Sequence, residues 1–147
     1  MNVDAMEVIG RLNDLSAVIG RDHLETHFAK FGLQRGEFDV LATLRRSGAP
    51  FTLPPTDLYE ATMMTSGGMT ARLDRLEKRG LIARRPNPED RRGTLVTLTD
   101  QGRELVEAAV VPHAANETRL LSPLTPEEQG QLNDLLRKWR AGLPDPA

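Results

Sequence analysis

Apolar residues recur at helical spacing from the start of the chain. Met6, Ile9, Leu12 (with Leu15), Ile19 and Phe28 fall near one stripe, and Gly32 is a helix stop, so Val3 to Phe31 is predicted as one long helix. Phe38, Leu41, Ala42 and Leu44 mark a second helix, closed by Gly48 and Pro50. Pro54 and Pro55 precede a short helical piece, Thr56 to Ala61, with Pro55 suited to the first turn. In "TMMTSGGMTARLDRLEKRG", Thr65 is a good N-cap and Met69, Leu73 and Leu76 form a buried stripe. Gly80 fits the position after the helix end, so the helix is expected over Thr65 to Arg79.

The period then drops from 3.6 to 2. Residues 81–85 and Thr94 to Leu98 read as two strands around a turn at Pro86 to Gly93, a hairpin with a long tip. Thr99 or Asp100 caps another long helix, predicted to reach about Leu121 despite Pro112. "TPEE" at Thr125 to Glu128 is a capping box that opens the last helix, whose apolar stripe is Leu132, Leu135, Leu136 and Trp139. A short helix, a tight turn, a second helix with a polar outer face and a hairpin make a winged helix-turn-helix. The expected fold is mainly α: one domain, with a two-stranded β-hairpin wing in a lobe over 34–99 and long terminal helices over 1–31 and 100–142.

Composition narrows the field. A chain of 147 residues with 39% apolar and 27% charged content can bury a real core, and its 4% aromatic content implies an aliphatic one. No apolar run approaches the ~18–20 residues that span a bilayer. "MNVDAMEV" carries acids where a signal peptide needs a basic start, so no membrane partner is expected and the chain is placed in the cytoplasm. Without cysteine there are no disulfides, thiol redox sensors or cysteine metal sites. The net charge of −2 conceals an asymmetry. Thr65 to Arg92 holds eight basic residues against four acids, and the rest of the chain eleven against seventeen. A basic patch on an otherwise acidic protein points to a polyanion met by one region only.

Two groups of residues fit that polyanion. Ser66, Gly67, Thr70 and Ala71 near the start of the Thr65 helix face away from its stripe, with Arg75 and Lys78 further along and Arg72 toward one edge. Small residues let a helix end sit deep in a DNA major groove, where Ser and Thr reach base edges or phosphate. Gly67 and Gly68 each cost roughly 1 kcal/mol against alanine in a helix, which close approach would explain. In "RRPNPEDRRGTLVTL", Arg91 and Arg92 lie at the hairpin tip, where the negative potential of a minor groove attracts arginine. Glu89 and Asp90 fit poorly beside phosphate unless Asp90 pins an arginine. A solubilising loop is the alternative use of the same arginines.

The stretch from "GLQRGEFDVLATL" through "LEKRGLIARRPNPEDRRGTLVTLTDQG" resembles the MarR family of bacterial winged-helix regulators over nearly the whole chain. Its most specific part is the Asp-x-Arg wing followed by Leu-Thr, here Asp90, Arg92, Leu98 and Thr99. The resemblance implies a homodimer, joined by the first and last two helices, that binds double-stranded DNA at a pseudo-palindromic operator. It also implies a repressor that releases DNA on binding a small, often phenolic or anionic, effector. "FDVLATL", "TARLDRLEKRGLIARR" and "VVPHAANETRLLSPLTPEEQ" are most similar to the PecS-type, urate-responsive branch, whose effector residues match Asp39, Arg72 and Arg84 here. That branch's tryptophan lid finds no match, Trp139 being the only tryptophan, and the effector stays open. Arg72 and Arg84 are equally suited to phosphate.

His23 and His27, at i and i+4, have a spacing that can hold zinc, although such pairs are more often solvated, and no metal or cofactor is assigned. There is no Gly-x-Ser-x-Gly, no Walker loop and no His-Glu-x-x-His, so no enzyme is expected. Two alternatives stay open: a winged helix used for protein assembly without specific DNA binding, and a metal-responsive regulator.

Overall fold

The computed structural model describes residues 1–62 and 66–146, and the backbone alone of Ser66. Its elements are α1 (Val3–Val18), a π-helical segment (Ile19–Glu25), α2 (Thr26–Ala29), α3 (Arg35–Arg46), β1 (Thr52–Leu53) and α4 (Pro55–Thr62). They continue with α5 (Ser66–Lys78), β2 (Ile82–Asn87), β3 (Asp90–Leu98), α6 (Asp100–Leu120) and α7 (Pro126–Gly142). The predicted mainly α winged-helix order is the observed one. The N-cap assigned to Thr65 lies outside the described residues.

Three details differ from expectation. The first helix runs from Val3 to Ala29 with a wider π-helical middle, which the apolar spacing does not signal. It ends where expected, at Gly32, whose φ is +66°; the Gly32 N–H donates to Ala29 O and the Leu33 N–H to Phe28 O, both at 3.0 Å. In the wing, β2 continues to Asn87 and β3 begins at Asp90, so the turn is two residues, Pro88 and Glu89. Pro86 reads as a strand breaker, but β2 is an edge strand of a sheet ordered β1-β3-β2, where proline is tolerated, and a register irregularity follows it. Finally, β1 adds a third strand: Thr52 pairs with Thr97 and Leu53 with Val96, and the two threonine hydroxyls lie 2.8 Å apart. A two-residue strand is too short for alternation to reveal.

Two compact units divide the chain, Met1–His113 and a second beginning at Ala114. In the first, Phe28, Phe38, Val40, Leu41 and Leu44 pack with Leu58 of α4, with Met69, Leu73 and Leu76 of α5, and with Leu81, Ile82, Val96 and Leu98 of the hairpin. Val106 and Ala109 of α6 complete this core. By contrast α1 buries none of its residues, and its stripe of Met6, Ile9, Leu12 and Leu15 is exposed. In the second unit α7 likewise buries none, leaving Leu132, Leu135, Leu136 and Trp139 exposed.

Thr99 joins hairpin to helix. Its hydroxyl donates to Gly80 O at 2.7 Å and accepts the Gly102 N–H at 3.0 Å, while its own N–H donates to Leu81 O at 3.2 Å. Of the two caps proposed for α6, Thr99 serves. This closeness puts Gly102 against the Leu81 carbonyl, where a Cβ would overlap that oxygen and crowd Leu98 Cδ1. Backbone cannot give way as a flexible side chain can. Gly102→Ala is therefore expected to lower stability by about 1–3 kcal/mol in chemical denaturation; an unchanged midpoint would contradict this packing.

Candidate nucleic-acid interface

The buried stripe of α5 fixes what its other face presents. Met69, Leu73 and Leu76 point into the core, so Gly67, Thr70, Ala71, Arg75 and Lys78 are exposed and Arg72 is half-buried at the edge. Ser66 opens the helix; Thr65 lies outside the described residues. Among the described residues, no atom beyond the local chain comes within 4 Å of a Cβ built on Gly67. Nothing among the described residues, then, requires glycine there.

At the wing tip Asp90, Arg91 and Arg92 are exposed. The Asp90 carboxylate accepts the backbone N–H of Arg92 at 3.0 Å, and Asn87 Oδ1 accepts the Glu89 N–H at 3.0 Å. Asp90 thus pins the backbone at an arginine instead of the arginine side chain. Arg85, exposed on β2, joins Arg91 and Arg92 as a solvent-facing wing cation. Strand alternation is the signal that separates it from Arg84, which turns the other way.

Arg84 is spent inside the lobe. Its Nη2 donates to Asp74 Oδ1 at 2.7 Å and to Glu77 Oε1 at 3.0 Å, and its backbone N–H donates to Glu77 Oε2 at 2.7 Å. Wing strand and helix α5 are clamped together by one guanidinium and two carboxylates. The side-chain hydrogen bond from Arg84, then the bond from its backbone N–H, hold the Glu77 carboxyl below its ordinary range, and Glu77 and Asp74 raise Arg84 in return.

Asp39 and Arg72 do meet. They line one cavity of about 630 Å³ together with Glu25, Gln34, Arg35 and Gly36; Arg84 is not among its lining residues. Arg72 lies so close over Gly36 that a Cβ there would collide with its guanidinium. Burial pushes the Asp39 carboxyl above its ordinary range, against the pull of Arg35, His113, Arg46 and Arg72. Gln34, Arg35 and Gly36 carry no sequence signal, because polar residues at a helix start are ordinary.

The His27 ring is buried, 5.4 Å from the Phe28 ring, 5.5 Å from Phe31 and 5.9 Å from His113. Its Nε2 has no hydrogen-bond partner among the described residues. Among the described residues no three His, Asp or Glu side chains are grouped to hold a metal ion.

An exposed helix face and an arginine-tipped hairpin on one core define a winged helix-turn-helix DNA-binding regulator. The MarR family pattern matches residues 31–93. The chain is 43% identical over 136 residues to the HTH-type transcriptional regulator PecS of Dickeya dadantii, covering 92% of this chain and 81% of that protein. A MarR family transcriptional regulator from Streptomyces coelicolor, solved in complex with DNA, superposes with a TM-score of 0.88 at 25% identity, over 100% of this chain and 91% of that one. A mutant MarR from E. coli complexed with operator DNA gives 0.82 at 28% identity, over 96% and 97%. The chain belongs to the MarR family and is a DNA-binding transcription regulator.

The two perturbed carboxyls give opposite signatures. Glu77, with its folded pKa depressed, contributes stability that is present above the unfolded value of about 4 and is lost as pH falls through the folded one. Glu77→Gln should therefore melt below wild type at pH 7, by a margin that closes in acid below about pH 4. Asp39, with its folded pKa raised, costs stability at neutral pH and stops doing so below the unfolded value. Asp39→Asn should melt above wild type at pH 7, by a margin that has closed by about pH 4. Thermal melts across pH 3–7 check both, and margins that do not vary with pH would contradict both assignments.

Proposed function

We propose that the chain acts as a homodimeric, effector-responsive repressor that binds a pseudo-palindromic operator in the cytoplasm. The observation that carries this reading is the clamp of Arg84 on Asp74 and Glu77, which joins the exposed face of α5 to the wing as one DNA-facing surface. Thr65, Ser66, Gly67, Thr70 and Ala71 at the start of the helix read base edges, while Arg75 and Lys78 meet phosphate. Arg91 and Arg92 enter the neighbouring minor groove, with Asp90 holding the tip in shape. Arg84 positions these parts, in place of the effector contact that the family resemblance assigns to it.

Dimerisation supplies cover for the apolar stripes that a single chain leaves in water, Met6 to Leu15 on α1 and Leu132 to Trp139 on α7. The cavity lined by Arg35, Arg72 and Asp39 takes the effector, a small anion with an apolar body, its charge set against the two guanidiniums. A ligand there bears on α3 and α5 at once and changes the spacing of the two recognition helices in the dimer. Only the spacing that matches the operator half-sites binds well, so a small rotation releases DNA.

Fluorescence anisotropy on the DNA upstream of the protein's own gene, with random DNA as control across a salt series, tests the reading. Wild type should prefer the upstream DNA, and Arg91→Ala/Arg92→Ala should bind more weakly with a salt slope shallower by about two. Gly67→Ala is expected to stabilise the free protein by about 0.5–1 kcal/mol and yet to weaken upstream-DNA binding about tenfold. Equal, weak binding of every variant to both DNAs would instead indicate a protein-assembly module.

A further inference from the structure

Two arginines of α5, and Arg79 just past its end, reach the short segment that leads into α3. Arg79 Nη1 donates to Gly32 O at 2.6 Å and lies 3.9 Å from the Glu37 carboxylate. Arg75 Nη2 donates to Gln34 Oε1 at 2.6 Å, and Arg72 Nη1 lies 3.4 Å from that same oxygen. Gln34 is itself held: its backbone N–H donates to Glu37 Oε1 at 3.0 Å, and Glu37 is buried. A well-placed neutral acceptor is therefore offered to a guanidinium on the exposed face of the recognition helix.

We propose that Gln34 is a positioning residue for DNA binding: it holds Arg75 against the α3 start in the free protein and competes with DNA phosphate for its N–H groups. The proposal rests on the DNA-binding reading above and deepens it. The N–H of Nη2 that meets Oε1 at 2.6 Å is not available to a phosphate while that bond is made, so a phosphate contact through it requires Arg75 to give up Gln34. The charged phosphate oxygen is the stronger acceptor, which makes the exchange favourable, but the Gln34 bond subtracts from the gain. Strengthening that acceptor should cost affinity, and removing it should add affinity. Gln34 also lines the cavity beside Arg72, so one oxygen stands between that cavity and a DNA-facing arginine.

The test uses the full chain and upstream-gene duplex in anisotropy titrations over a salt series, with Gln34→Ala, Gln34→Glu, Arg75→Ala and the two double variants. Gln34→Ala should bind about two- to fivefold more tightly with an unchanged slope. Gln34→Glu, whose carboxylate ion-pairs Arg75, should bind about tenfold more weakly with a slope shallower by about one. Both effects should vanish when Arg75 is alanine. Because one variant is expected to gain affinity, misfolding cannot imitate the result. Effects of Gln34 that persist without Arg75, or no effect of either Gln34 variant, would overturn the proposal while leaving the DNA reading intact. Wild-type protein that does not distinguish upstream from random DNA would overturn the DNA reading, and the proposal with it.

Discussion

A helix of thirteen residues with two glycines near its start is not stable by itself in water, so α5 exists because its inner stripe is buried. Met69, Leu73 and Leu76 are withdrawn from solvent against α3 and the hairpin, each contributing about 1.5–3 kcal/mol of apolar burial. The same burial fixes the rotation of the helix about its axis. Once it is set, Gly67, Thr70, Ala71 and Arg75 face solvent, and no other rotation keeps the stripe covered. At the far end Gly80, at φ +75°, turns the chain so that Leu81 enters the core and β2 starts. The orientation of the wing is thus inherited from the end of the helix and then fastened by Arg84.

Charge is divided along the same lines. Of the eight cations between Thr65 and Arg92, Arg84 is satisfied by Asp74 and Glu77, Arg79 by Gly32 and Glu37, and Arg72 and Arg75 share Gln34. Lys78, Arg85, Arg91 and Arg92 are exposed. Two of the four acids inside the basic stretch, Asp74 and Glu77, are spent on the cation that holds the surface together. Arg75 and Arg79 are exposed as well, although each is held at the start of α3, so the exposed cations and the held ones overlap.

Helical periodicity made most of the architecture legible. The closing ends of α3 and α5, the Thr125 capping box and the Gly80 stop all follow from local chemistry that the structure keeps. The length of the wing was not legible, because Pro86 and Gly93 read as turn residues until the edge position of β2 and its pairing with β3 are known. The candidate site was half legible. Asp39 and Arg72 come together as the family resemblance implies, but Arg84 meets Glu77, seven residues back in sequence, only once the hairpin folds against α5. Gln34 carried no signal: a glutamine ahead of a helix is ordinary, and the two arginines that reach it lie 38 and 41 positions later in the chain.

On the proposed reading, α5 enters a major groove while the wing tip lies in the minor groove beside it, twice per operator. Combined dimethyl sulfate and hydroxyl-radical footprinting of the upstream DNA tests this most directly. Guanine N7 protection is expected in two half-sites separated by about one helical turn or a multiple of it, each flanked by a minor-groove segment shielded from the radical. A single unbroken footprint with unprotected major-groove guanines, or protection that does not depend on sequence, would contradict it.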